Sequence, residues 1–321
     1  MPVAGLLLVI SLLGLAPVSA WAQTPVVGHL WLGSPPRGEL SFVRLLKELG
    51  HQEGRTFLLE SRYAGGDNSR FPALARDLLG HRPAVIYTGC GPALRAIREL
   101  RRSVPVVAGC ADPKNFLGEV ASLSRPGGRT TGFTFLAPES AAKRLQLLKE
   151  LLPRLSHVGI LHHRHDDWGT YLKEMERAAP QLGLIFSKLP VDRAEDLDAA
   201  FATAVAERAE ALVVFPDAIT FGARTRIATL AITHKLPTVF DTRVFVVDGG
   251  LLSYGADWFD PEFAPRIIAT YIDKILKGAA PGDLPVQQPT RLQLVVNLRT
   301  ARMLGLNVPS SFLTRADEVL K

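Results

Sequence analysis

Short apolar runs alternate with amphipathic segments along the whole chain. Residues 26–32 form a nearly continuous apolar run, and the following segment places Phe42, Leu45, Leu46 and Leu49 on one helical face. Apolar runs without strict alternation are typical of parallel strands that are covered on both faces. The repeated strand and helix order therefore predicts an α/β protein built on parallel sheets.

The clearest strand-helix-strand unit lies between residues 84 and 113. Residues 84–87 and 104–107 are predicted strands, and Pro92 suits the first turn of the helix between them. Both strands end in small residues, at 88–91 and at 109–112. Because open α/β sheets bind ligands at the carboxyl ends of their strands, these two turns are predicted to form half of a ligand cleft.

The strand count predicts two domains. Five strands are predicted before residue 136 and five between residues 157 and 255, which favours two doubly wound, flavodoxin-like sheets over a barrel or one ten-stranded sheet. An amphipathic helix after residue 260 has no strands of its own, so we expect it to pack back on the first domain. The predicted lobes are 26–136 plus 256–290 and 137–255 plus 291–321, joined by three crossovers.

The amino terminus resembles an export signal. Residues 1–22 carry no charge and combine an apolar run with small residues, so we expect a signal peptide cleaved near Ala20 or Ala22 and a periplasmic protein. A single transmembrane anchor is the alternative. The formal net charge of +6 comes from scattered basic residues, which does not indicate nucleic-acid binding.

The two cysteines, Cys90 and Cys110, are predicted at the ends of adjacent strands. Neighbouring strands lie about 5 Å apart, within reach of a disulfide, and an exported protein permits one. Two free thiols lining the cleft and a metal site are the other interpretations. Side-chain direction decides between them, and it cannot be read from sequence.

Donors for an anionic group are predicted at the turns of the first domain. The backbone N–H groups of residues 89–91 (Gly89, Cys90, Gly91) precede a helix, where the positive end of the helix dipole favours a carboxylate or phosphate. Gly33, Ser34, Thr88, Cys110 and Ala111 are predicted to lie beside them. The alternative is that these glycines only form the turn, and Leu94 rules out a dinucleotide fingerprint.

Acidic residues at strand ends are the candidate partners of a cationic group. Asp217 and Asp241 follow predicted strands of the second domain, and we favour Asp241 as the ammonium partner. Asp217 also suits a helix cap, and Asp112 could cap a short helix instead of binding ligand.

One histidine cluster has metal-ligand chemistry. His162, His163 and His165 precede Asp166 and Asp167, and alternate residues of a strand share a face. We favour a solvated or ligand-contacting loop, with His163 at the cleft, over a metal site. The chain has no Gly-x-Ser-x-Gly, His-Glu-x-x-His or phosphate-loop motif, so we expect neither a cofactor nor catalysis, and an α/β enzyme remains an alternative by fold analogy alone.

Several motifs carry a family resemblance, in chain order: Ala111-Asp112-Pro113, the turn at 122–128, Thr131-Gly132, the segment 249–255 and the segment 283–290. With these motifs the chain resembles the tryptophan/tyrosine-type ABC transporter substrate-binding proteins. The resemblance implies the periplasmic-binding-protein type I fold, hinge closure on a small molecule, and delivery to a permease and its ATPase. It also implies an amino acid ligand, with aromatic ones as the family-level expectation.

Two departures from the family pattern limit what can be carried over. The loop at 161–167 differs from the family's usual loop, so its ligand contacts cannot be carried over. No lipobox cysteine is present, so we expect free diffusion without a lipid anchor or stable membrane insertion. We also expect a monomer. An exported ligand sensor would have the same sequence features.

Overall fold

The computed structural model shows two α/β sheets, each covered by helices on both faces. It describes residues 24–36, 38–89, 91–100, 104–110, 116, 120–134, 139–164, 169–257, 263–289 and 291–321. The predicted signal peptide at 1–22 lies outside the described residues. Within the described residues, no helix is both long enough and apolar enough to cross a bilayer.

Sheet 1 is fully parallel and comes from the first part of the chain. Its strands are β1 Val26–Trp31, β2 Leu58–Tyr63, β3 Val85–Gly89, β4 Val106–Cys110 and β5 Thr130–Thr134. Their order is β2-β1-β3-β4-β5. This is the flavodoxin-like order, which reverses between β1 and β3 and opens a crevice at their carboxyl ends.

Three helices follow the first strands of sheet 1. They are α1 Ser41–Glu48, α2 Phe71–Gly80 and α3 Pro92–Glu99. Helix α1 packs on one face through Phe42 and Leu46, while α2 and α3 cover the other face through residues such as Leu78 and Ile97. The inner strands β1 and β3 are therefore buried on both sides, as their unalternating apolar sequence requires, whereas the edge strand β2 is only partly buried.

Sheet 2 repeats the same core and extends it. Its strands are β6 His157–His163, β7 Ile185–Val191, β8 Ala211–Val214, β9 Thr238–Phe240, β10 Leu252–Gly255, β11 Gln293–Asn297 and β12 Glu318–Leu320. The order is β12-β11-β10-β9-β8-β6-β7, parallel except for the antiparallel pair β10 and β11. The reversal point of this sheet lies between β6 and β8.

Helices also cover both faces of sheet 2. One face carries α4 Glu139–Leu151 and α5 Gly169–Ala178, and the other carries α6 Leu197–Ala206, α7 Ala218–Gly222, α8 Arg224–Thr233 and α9 Arg243–Val247. Four short 3₁₀ turns among the described residues, Asn68–Arg70, Pro180–Leu182, Ala194–Asp196 and Pro281–Asp283, complete the connections.

The chain passes between the two sheets three times. After β10, helix α10 Ala264–Leu276 packs on sheet 1 beside α1. Gln287 then pairs with β5, because its N–H donates to Gly132 (2.9 Å) and its carbonyl accepts from Thr134 (2.8 Å). The chain returns to sheet 2 with β11, α11 Leu298–Met303 and α12 Ser310–Leu313. The described residues that flank the three passages lie at the carboxyl ends of β5 and β10.

The predicted fold class, two doubly wound α/β sheets, is confirmed, but the predicted number of strands in the second sheet is wrong. Sheet 2 has seven strands instead of five, because β11 and β12 extend it beyond β10: β11 pairs antiparallel with β10, and β12 has only three half-buried residues, too few to show a pattern. The helical segment after β8 consists of two helices, α7 and α8, which separate after Gly222. Asp67 caps the turn before α2, because its side chain accepts from the N–H of Ser69 (2.9 Å).

Candidate functional site

The reversal point of sheet 1 brings Gly33, Ser34 and Gly89 together. Gly33 and the exposed Ser34 follow β1, and Gly89 ends β3. The indole of Trp31 lies beside both glycines, since a Cβ on Gly33 would be 3.4 Å from the ring and one on Gly89 would be 3.9 Å from it. Small residues at the strand ends thus leave room for an aromatic side chain at the crevice.

The turn into α3 depends on Gly91. This residue is the N-cap of α3 and has φ 69° and ψ −122°, a conformation that side chains with a Cβ rarely adopt. Pro92 then occupies the first helical position. The turn itself requires glycine, and the predicted anion contact at residues 89–91 stays a prediction because Cys90 lies outside the described residues.

Thr88, a predicted ligand contact, makes a hydrogen bond within sheet 1. Its side chain is buried, and its hydroxyl donates to the carbonyl of Leu30 at 2.9 Å. This hydrogen bond links β3 to β1 at the reversal point. The hydroxyl proton is therefore already used within the sheet.

The second predicted turn of the first domain is described only in part. Cys110 ends β4, where its backbone pairs with Thr134 of β5. The side chain of Cys110 and the whole of Cys90, Ala111 and Asp112 lie outside the described residues. The disulfide, the free thiols and the roles of Ala111 and Asp112 therefore stay predictions.

The reversal point of sheet 2 brings together two other predicted site residues. His163 ends β6, and its carbonyl accepts a hydrogen bond from Nδ1 of His162 at 2.9 Å. Asp217 follows β8, the neighbouring strand. Residues 165–168 of the histidine-rich loop lie outside the described residues. Within the part of the chain that is described, no group of three or more His, Cys, Asp or Glu residues could hold a metal ion.

Asp217 caps α7. Its Oδ1 accepts from the backbone N–H groups of Ile219 (2.7 Å) and Thr220 (2.8 Å), and the Thr220 hydroxyl accepts from the N–H of Asp217 (3.0 Å). This reciprocal arrangement satisfies the first amides of the helix. The capping alternative raised by the sequence is therefore the observed contact.

Asp241 follows β9 and has an unusual environment. Its side chain is 0% exposed, and within the described residues neither carboxylate oxygen has a hydrogen-bond partner. Burial raises the pKa of Asp241 to about 7; the positive charge of Arg144 opposes that increase. The N–H groups of Asp241 and Thr242 also favour the charged form, although neither makes a hydrogen bond of ordinary geometry to the carboxylate.

Arg144 is a charged residue that the sequence interpretation missed. It lies on α4, and its side chain is 0% exposed. Nε donates to the carbonyl of Tyr254 (2.7 Å), Nη2 donates to Oγ of Ser140 (3.3 Å), and the guanidinium lies 5.0 Å from the ring centre of Tyr171. Nη1 is buried without a hydrogen-bond partner among the described residues. Burial lowers the pKa of Arg144 to about 10, so it remains charged at neutral pH.

A sequence signal for Arg144 exists. Ala141, Arg144, Leu148 and Leu151 follow one another at spacings of three and four residues, so they share one face of α4, and all four are buried. A single charge on an otherwise apolar stripe is uncommon in a core helix, because burying it is costly unless it has partners. The arginine could therefore have been singled out as a functional candidate.

The carboxyl ends of two doubly wound lobes, joined by three passages, define the periplasmic-binding-protein type I fold. The chain belongs to the ABC transporter substrate binding protein family, because that family's model matches residues 41–320. The resemblance stated from the sequence motifs is thereby confirmed.

Individual relatives agree with the family assignment. A tyrosine-binding protein of Clostridioides difficile (strain R20291) is 21% identical over 289 residues, covering 88% of this chain and 79% of the relative. The crystal structure of an ABC domain in complex with L-Trp from Streptococcus pneumonia has a TM-score of 0.81 at 23% identity, covering 92% of this chain and 100% of that one. A conserved domain protein from Vibrio cholerae has a TM-score of 0.81 at 24% identity, with the same coverage.

Proposed function

We propose that this protein is the periplasmic solute-binding component of an ABC importer and that it captures an amino acid between its two lobes. One observation carries the proposal: Arg144 and Asp241 are fully buried at the carboxyl edge of sheet 2, and both retain unpartnered polar atoms among the described residues. Buried polar atoms are normally hydrogen-bonded, so such a pair favours a polar ligand at this position.

The lobe assignment follows the passages of the chain. We propose residues 26–136 plus 256–290 as lobe I and residues 137–255 plus 291–321 as lobe II. Because the passages lie at the carboxyl edges of both sheets, rotation about them opens and closes the space between those edges. Ligand contacts from both lobes stabilise the closed form, and the permease recognises that form.

Contacts are proposed from both lobes. Asp241 of lobe II receives the ligand's ammonium group, and His163 lies at the edge of the same sheet. Gly33, Ser34, Gly89 and Gly91 of lobe I line the opposite wall. The protein is secreted, loses residues 1–22 and acts as a monomer with its permease and ATPase.

A binding panel tests the proposal. The mature chain is titrated by calorimetry with the twenty L-amino acids, beginning with tyrosine and tryptophan because relatives are named for or solved with them, and with sugars and nucleosides. Saturable binding of one compound, recovered chemically unchanged, supports a solute-binding protein, whereas turnover of the bound compound would support an enzyme.

The Asp241→Ala variant tests the site assignment. We expect loss of amino acid binding with a folded protein, because the counter-charge of the ammonium group is removed. Asp198→Ala is the matched control, since Asp198 is an exposed carboxylate on α6. Undiminished affinity in Asp241→Ala would refute the role of Asp241.

A further inference from the structure

One nitrogen of the buried Arg144 guanidinium lacks a hydrogen-bond partner among the described residues. A guanidinium has five N–H donors in a rigid planar fork, and a buried donor without an acceptor costs free energy. Nε and Nη2 bind Tyr254 and Ser140, but the buried Nη1 binds no acceptor among the described residues. The side chain is therefore held in place by two contacts and has a third donor available for an anionic group.

Arg144 and Asp241 interact electrostatically without forming an ion pair. Each shifts the pKa of the other, so their charges interact. Yet this pair of described residues forms no ion pair within 4.0 Å. If the pair served only to neutralise two buried charges, direct contact would be the stable arrangement. Instead a guanidinium and a carboxyl group are both fully buried, near each other, with open hydrogen-bonding capacity on each.

This arrangement complements a molecule that carries both charges on neighbouring atoms. We propose that Arg144 is the carboxylate anchor of an α-amino acid whose ammonium group contacts Asp241, so that one lobe recognises the whole zwitterion. The inference rests on the proposed solute-binding function. It moves the predicted anion contact from the turn at residues 89–91 of lobe I to a charged side chain of lobe II.

The position of Arg144 links this recognition to the passages between lobes. Tyr254, whose carbonyl accepts from Nε, belongs to the strand that precedes the second passage, and α4 directly follows the first. Gly255 has no space for a side chain, because a Cβ there would lie 2.0 Å from the carbonyl oxygen of Asp241 and 3.1 Å from Nη2 of Arg144. A carboxylate on Nη1 is thus bound by the same guanidinium that fixes the backbone at the second passage.

Matched ligands provide the test. Three pairs are titrated: L-tryptophan with tryptamine, L-tyrosine with tyramine, and L-leucine with isoamylamine, where each amine lacks only the carboxylate. Wild type, Arg144→Gln, Arg144→Lys and the control Arg177→Gln are compared; Arg177 is an exposed arginine of the neighbouring helix α5. The remaining amino acids and neutral sugars complete the panel for wild type.

For wild type we expect an amino acid to bind about 10- to 100-fold more tightly than its amine, the effect of one charge-assisted contact. In Arg144→Gln, the affinity for the amino acid should fall by about the same factor while the affinity for the amine stays unchanged. The variant should therefore no longer distinguish the amino acid from its amine. Arg144→Lys should restore part of it, and Arg177→Gln should match wild type.

The opposite results are equally clear. If wild type binds the amine and the amino acid equally, the inference is overturned. This test needs no variant, so it remains decisive even if Arg144→Gln folds poorly. Equal weakening of both ligands in Arg144→Gln would show a purely structural role and also overturn it. Wild type that binds a sugar but no amino acid refutes this inference and leaves solute binding standing. Wild type that binds nothing refutes both.

Discussion

Replacing Asp241 with Asn should make the ligand-free protein more stable at alkaline pH. The carboxylate is fully buried and has no hydrogen-bond partner within the described residues, so its ionised form is poorly solvated. Burial raises its pKa from 3.8 to about 7 despite the opposing charge of Arg144. Asn has nearly the same shape and cannot ionise, so the variant avoids this cost.

The magnitude follows from proton linkage. Between pH 4 and pH 7 the unfolded chain releases the Asp241 proton while the folded chain keeps it, so the free energy of unfolding falls as the pH rises. The stabilising contribution is complete below the unfolded pKa of 3.8 and is lost as the pH passes about 7. Each unit of difference between the folded and unfolded pKa corresponds to about 1.4 kcal/mol, so the free energy of unfolding falls by about 4 kcal/mol in all. About 3 kcal/mol of this falls between pH 5 and pH 8.

Wild type alone does not reveal this effect, because His29 acts in the opposite direction. Burial lowers the pKa of His29 from 6.5 to about 4. The unfolded chain therefore binds this proton first as the pH falls, and about 3 kcal/mol of stability is lost between pH 6.5 and pH 4. The two contributions nearly cancel over that range, so the comparison with the variant is essential.

Urea unfolding followed by circular dichroism at pH 5, 6, 7 and 8 measures the effect for wild type, Asp241→Asn and Asp198→Asn. The difference between Asp241→Asn and wild type should grow by about 3 kcal/mol from pH 5 to pH 8. Asp198 is an exposed carboxylate, so its variant should run parallel to wild type. If the free energies of unfolding of Asp241→Asn and wild type changed in parallel with pH, burial would not be raising the pKa of Asp241, and the reasoning would be refuted.

Further predictions concern the packing that supports the site. Gly132→Ala should destabilise the protein by at least about 3 kcal/mol in urea unfolding, because its Cβ would lie 1.9 Å from the carbonyl oxygen of Ala108. Gly38→Ala has φ +133° but open surroundings, so it should cost only about 1–2 kcal/mol of backbone strain; equal losses would contradict the steric argument. Tyr271→Phe should lower the free energy of unfolding by about 1 kcal/mol, because the hydroxyl donates to the carbonyl of Pro285 (2.5 Å), and an unchanged urea midpoint would refute this.

Most of the fold could be predicted because its strands are apolar on both faces. That signal identified the parallel strands of both sheets, whereas β11 and β12 lie outside the parallel core and were missed. Hydrophobic patterns report burial, and they say little about short strands at the end of a sheet.

The site was less predictable than the fold, for a different reason. Asp241 was singled out because a charged residue directly follows an apolar strand, and its ligand contact stays a prediction. Asp217 satisfies the same rule, but its oxygen caps α7, and sequence alone could not separate the two roles. Arg144, the proposed carboxylate anchor, was not identified from the sequence, because an arginine on a helix is usually solvated. Only its position on the apolar face of α4 distinguishes it from the other arginines. The hydroxyl of Thr88 binds the carbonyl of Leu30, a contact within the sheet that sequence could not reveal, and its ligand contact stays a prediction.

The return of the chain to both sheets has a consequence for how the protein acquires its structure during synthesis. All strands of sheet 1 precede residue 135, but α10, which covers part of one face, begins at residue 264. Sheet 2 likewise completes its edge only with β12, at the very end of the chain. A nascent chain that ends before α10 therefore exposes apolar surface of sheet 1, and one that ends before β12 leaves the edge of sheet 2 incomplete. Closing such long loops slows folding. Sheet 1 therefore gains its last covering helix only after β6 to β10 of sheet 2 have been synthesised, so the two sheets mature together rather than in sequence.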